Sequence, residues 1–149
     1  MAGIKAIQDA IVSKVATVTG FSATTVKPFR GSVAELFTGD ARTVPLPFCG
    51  VGFAGLTPEG RGTSNNKESE DHHQFDLLIV ARDVRGSGYA VDAATALIDA
   101  VRSALIGHVL TGLSGVAPIK LGAVRPVASE PDKNVAAFVA EIFTWQVIQ

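Results

Sequence analysis

The segment Gln74–Arg82 (QFDLLIVAR) constrains the fold more than any other. In an extended chain Phe75, Leu77, Ile79 and Ala81 point one way, and Asp76, Leu78, Val80 and Arg82 the other. The middle is apolar on both faces, which predicts a central strand. Phe48–Ala54 (FCGVGFA) supplies a second strand, with Phe48, Gly50, Gly52 and Ala54 on one face and Cys49, Val51 and Phe53 on the other. Its glycine-rich face predicts a close backbone approach on that side. Thr24–Phe29 reads as a short strand ending at Pro28. Ile119–Ala128 and Val135–Ile148 read as two more, joined by a hairpin-like turn over Ser129–Asn134. The last alternates well but is long for one strand pairing in a small domain, so a bend or pairing with a neighbouring chain is expected.

Two segments have a helical period instead. Ile4, Ile7, Ile11, Val15 and Val18 form one apolar stripe, with Lys5, Gln8, Asp9, Ser13 and Lys14 on the other side and Gly20 as the stop. Tyr89–Ile106 has its stripe at Val91, Ala94, Ile98, Val101 and Leu105. Asp92, Thr95, Asp99 and Arg102 face outward, and Gly107 ends the segment. Val33–Phe37 fits a helical turn. The expected class is α+β: a mixed, mainly antiparallel sheet of four or five strands, with two amphipathic helices packed on one face. The other face is then solvated or covered by a partner. Leu56–Asp71 (LTPEGRGTSNNKESED) has no period and reads as a long polar loop.

At 149 residues the chain fits a single domain over residues 1–149. Lys+Arg 13 against Asp+Glu 14 leaves a net charge of −1. That balance argues against a general nucleic-acid binder or a polybasic membrane-surface protein. Charged residues are 18% of the chain, below the roughly 25% usual for globular domains. The mean hydropathy is +0.31. A small domain has much surface to cover, so the shortage of charge points either to surface covered by other chains or to a weakly charged monomer rich in Gly, Ala and Thr. The lone cysteine, Cys49, excludes an internal disulfide. No apolar run is long enough to span a bilayer, and Lys5 and Asp9 argue against a signal peptide over Met1–Ser13.

Candidate chemistry is sparse. Gly86-Ser87-Gly88 lies between a strand and a helix, where a dinucleotide-binding loop sits, but Val91 holds the place of the third glycine. A glycine turn with Ser87 as N-cap is the simpler reading. His72 and His73 adjoin Glu68, Glu70 and Asp71; adjacent strand residues face opposite ways, so one metal site rarely uses both histidines. Cys49 lies in an apolar strand, and Ser114 has only one of the two glycines of a hydrolase elbow. No catalytic residue, metal or cofactor is expected. Phe143 and Trp145 are either core anchors, the default for aromatics at this spacing, or interface anchors; in the second case Phe138, Phe143, Trp145 and Val147 are the candidate anchors between copies, through edge pairing of the segment Phe138–Val147. Arg61, Lys67, Glu68, His72 and His73 are candidate partner contacts of the polar loop.

The whole pattern resembles a family: the small tail proteins of Mu-like contractile-tail phages and prophages, whose members look like tail terminators. The resemblance lies in Ile4–Ile11, in Pro47–Val51, in Phe75–Gly86 leading into Ala100–Leu105, and in Val135–Phe138 onward to Thr144-Trp145. It implies a structural virion protein. Such a protein forms a ring, a hexamer in the family, that caps the tail tube, stops its polymerisation and joins the tail to the head connector. Its partners would be copies of itself, the tail tube protein, and the sheath and connector proteins. It would assemble in the host cytoplasm and reside at the head-proximal end of the tail. Two alternatives stand beside this: another neck component, such as a head-completion or adaptor protein, and a small nucleotide-binding enzyme using the Gly86 turn.

Overall fold

A computed structural model describes residues 2–22, 25–29, 47–60, 69–83, 85–127 and 135–148. In chain order the elements are α1 (Ile4–Val15), β1 (Val26–Phe29), β2 (Phe48–Gly60), β3 (Ser69–Arg82), α2 (Ser87–Leu105), β4 (Lys120–Pro126) and β5 (Val135–Ile148). The strands form one sheet in the order β1-β2-β3-β5-β4. β1 and β2 are parallel and the other pairs antiparallel. The expected α+β class is therefore the observed one. QFDLLIVAR is the heart of β3, in the middle of the sheet.

Both helices lie on one face. Ile7, Ile11 and Val15 of α1 and Ile98, Val101 and Leu105 of α2 pack with Cys49, Val51, Phe75, Leu77, Ile79, Ala140 and Ile142 from the sheet. Near the start of α2, Ala90 and Ala94 close on Ala81 and Ala136, small residues that let helix and sheet approach. Ala90 is buried there and Val91 is exposed, so the stripe of α2 begins one position earlier than the spacing predicts. Gly86, with φ 128°, is the N-cap of α2, which puts Ser87 inside the helix instead of capping it.

Two expectations about length are corrected. Leu56–Gly60 and Ser69–Asp71 belong to β2 and β3 and not to a loop. Their polarity hid them, but backbone pairing does not depend on polarity, and the pairing runs unbroken to Gly60↔Ser69 after a bulge at Ala54. The same extension explains β5. All of its residues pair with β3, from Ser69↔Ile148 to Arg82↔Val135. The extra length is met within the chain, without a neighbour. The turns expected at Val33–Phe37 and Ser129–Asn134, and Arg61, Lys67 and Glu68, lie outside the described residues.

The bare face of β2 is filled as its glycines predict. A Cβ on Gly50 would sit 3.1 Å from Phe29 Cβ and 3.1 Å from Phe48 Cε1, so the β1 side chain lies against backbone. One polar residue breaks the pattern of α1. Gln8, expected outward, is buried and donates from Nε2 to the carbonyl of Val51 at 2.6 Å.

Candidate functional site

Three parts of the surface carry chemistry or shape: the sheet face away from the helices, its far end, and its two lateral margins. The first is set by strand parity. Register places Glu70, His72, Gln74, Asp76, Leu78 and Val80 of β3 beside Val147, Trp145, Phe143, Glu141, Val139 and Ala137 of β5. Along this face runs first a buried apolar cluster, Phe48, Leu78, Val80, Ala137 and Val139. A polar band follows. Arg125 Nη1 donates to Glu141 Oε1 at 2.7 Å and its Nη2 lies 3.9 Å from Asp76. Last comes an aromatic ridge: Phe143, Trp145 and Val147, all half-buried, with the His72 ring stacked on Trp145 at 6.2 Å between centroids. Phe143 lies over Gly122, where a Cβ would come within 2.5 Å of its ring.

The four aromatic and aliphatic anchor candidates are thus divided. Phe143, Trp145 and Val147 share the face away from the helices. Phe138 points the opposite way and packs against the helix-side core. Edge pairing through Phe138–Phe143 is also corrected: β5 is an inner strand there, with β4 bonded along it from Pro126↔Phe138 to Lys120↔Phe143. Further along, the Ala117 N–H donates to the Trp145 carbonyl.

His72 and His73 part company, as alternation requires. His72 lies on the ridge side, its Nε2 3.1 Å from Glu70 and 3.4 Å from Glu59. Glu59, Glu70 and His72 bring three potential ligand atoms within 4.8 Å. Sequence reading missed Glu59, because only the β2–β3 register carries it to Glu70. His73 is buried on the helix side. The main chain of Ala2 fixes Gln146: Ala2 N–H donates to Oε1 at 3.2 Å and Nε2 donates to the Ala2 carbonyl at 2.8 Å. Gln146 Nε2 also lies 3.3 Å from His73 Nε2, which makes that nitrogen the acceptor of a neutral ring. Nδ1 has no partner among the described residues. Burial holds the His73 pKa below its ordinary value.

The remaining candidates have local roles. Cys49 is wholly buried, and burial pushes its thiol up to about 12, far from the thiolate a nucleophile needs. After β3, Asp83 accepts from Arg85 Nε at 3.0 Å and Nη2 at 2.7 Å, and the hydrogen bonds hold its carboxyl down at about 2. The same guanidinium lies 4.2 Å from the centre of the Tyr89 ring. The Asp83–Arg85 pair spans the approach to α2.

The lateral margins carry four large apolar side chains. Phe53 and Leu56 on β2 are 41% and 36% exposed, and Ile106 and Val109 after α2 are 64% and 55% exposed. β1 pairs only with Cys49–Gly52, so among the described residues β2 has no outer neighbour from Phe53 to Gly60.

By its fold and these surfaces the chain is of the α+β class, two helices on one face of a five-stranded mixed sheet, with exposed apolar side chains at its margins and a half-buried aromatic ridge on its other face. It belongs to the family described as Bacteriophage Mu, Gp37, which it matches over residues 3–148. No curated protein matches the sequence. Among 29 matching chains of solved structures, one comes from the virion of a native gene transfer agent particle. It shares the fold with a TM-score of 0.58 at 16% identity, over 96% of this chain and 95% of that one.

Proposed function

We propose that this chain is a structural virion protein, and within the virion a tail terminator: a ring of copies that seats on the last ring of the tail tube, ends its growth and offers its other side to the head connector. Membership of the Mu family over nearly the whole chain carries the reading. The shared fold with a chain of a gene transfer agent virion supports it. The mechanism is geometric. Identical subunits joined head to tail close into a ring, and a closed ring has two unlike faces. One matches the tube; the other lacks the surface that a further tube subunit needs.

The half-buried ridge of Phe143, Trp145 and Val147 is the surface we assign to contact with the tube. Aromatic residues that are partly covered on a flat sheet face are efficient anchors. Trp145→Ala removes the centre of the ridge and leaves the helix-side core intact. It is expected to keep native circular dichroism while weakening assembly on tubes. Outright unfolding would make Trp145 a fold residue and remove the assignment.

The test of the function is negative-stain imaging of the purified chain, alone and with tail tubes. Rings with a central hole that bind tube ends support a terminator. Rings that ignore tubes and bind connector particles favour the neck-adaptor alternative. A lone particle at high concentration that ignores tubes refutes both.

A further inference from the structure

We propose that copies of this chain join flank to flank, with Phe53 and Leu56 of one copy seated against Ile106 and Val109 of the next. The inference rests on the ring reading and names the seam that such a ring would use.

Three observations converge. First, these two apolar pairs are on opposite sides of one sheet. β2 carries Phe53 and Leu56, with no outer neighbour among the described residues once β1 has ended. Ile106 and Val109 flank β4 at the other margin: the Ile119 N–H donates to the His108 carbonyl and the Gly107 N–H to the Ile119 carbonyl, one residue before β4 begins.

Second, the pairs stand at the same height along the strands. Phe53 is level with Phe75, Ile142 and Leu121. Leu56 is level with His73 and Thr144, and Thr144 Oγ1 donates to the Ala117 carbonyl in the segment that returns beside His108. Phe53 and Leu56 share the parity of Phe75 and His73 and so lie on the helix side, and Ile106 follows directly from the end of α2. A copy displaced sideways, with the rotation that closes a ring, therefore brings unlike pairs together. Two separate patches at opposite margins define a head-to-tail contact and not a two-fold one.

Third, proline shortens the strand edge at each margin: Pro58 interrupts the outer stretch of β2 among the described residues and Pro126 ends β4, and proline has no N–H to donate. Side-chain docking is the contact we assign.

The test uses the full chain with engineered thiols, since Cys49 is buried and does not compete. The double variant Leu56→Cys/Val109→Cys, oxidised with diamide, is expected to give a ladder of covalent multimers on non-reducing gels. Neither single variant gives covalent dimers, because position 56 meets 109 and not another 56. Dimers from a single variant would show a two-fold contact and overturn the proposal. Native mass spectrometry supplies a second arm. Leu56→Asp and Val109→Asp each weaken self-association at least tenfold. Mixed together, they form 1:1 pairs that stop there, because each retains one intact margin. Rings that form in the wild type and ignore these changes refute the seam alone. A wild type that neither associates nor crosslinks through the double variant refutes the ring reading as well.

Discussion

The hydrogen bond from Gln8 to the Val51 carbonyl gives the sharpest stability test. It ties α1 to the second strand from inside the core, at 2.6 Å, with both groups buried. Gln8→Met keeps the length of the side chain and removes the donor. The Val51 carbonyl then loses that partner in an apolar setting, at a cost of about 1–3 kcal/mol. Gln8→Ala loses the same bond and also buried methylene, at about 0.8 kcal/mol each. Alanine should therefore cost roughly 1 kcal/mol more than methionine. For a chain of this size a loss of 2 kcal/mol lowers Tm by roughly 4–8 °C. Urea unfolding at one fixed protein concentration reads both variants. The midpoint should fall while the slope with denaturant stays constant. A methionine variant within about 0.5 kcal/mol of the parent, the range of neutral surface changes, would refute the reasoning.

Three further outcomes are expected. Gly122→Ala sets a Cβ 2.5 Å from the Phe143 ring and 2.9 Å from Glu141 Cβ; it should destabilise by about 1–3 kcal/mol and shift Trp145 emission, as measured by fluorescence-monitored unfolding. His73 is held neutral by burial, so the unfolded chain takes up a proton first as pH falls below the ordinary histidine value. Stability should then drop with falling pH by up to about 1.4 kcal/mol per pH unit relative to His73→Leu, and parallel pH profiles for the two proteins would contradict this. Cys49, buried with its thiol at about 12, should resist iodoacetamide at pH 8 in the native state and react on unfolding in urea.

Much of the scaffold was legible because burial and periodicity coincide. Ile7, Ile11 and Val15, or Phe75, Leu77 and Ile79, declare both the element and its buried side. What escaped lies where polarity and structure part. Leu56–Gly60 and Ser69–Asp71 pair as strands through backbone groups that side chains do not announce. Gln8 is polar yet buried, since its amide meets a carbonyl that only the tertiary fold supplies. Glu59 reaches Glu70 and His72 through a register set by the long β2–β3 pairing, and no local pattern encodes that meeting. Phe138 is a different case. Alternation along the last strand already set it apart from Phe143 and Trp145, so treating the four residues as one group ignored a signal that was present.

The clasp between Ala2 and Gln146 has a practical consequence. It holds the beginning of α1 against the last strand, so a short peptide can bridge these segments without crossing the core. A circular permutant opened at the exposed turn between Ser114 and Gly115 would retain every strand pairing and move the free ends to the β4 side of the sheet. Fluorophores attached at such ends would report the spacing of neighbouring copies by energy transfer.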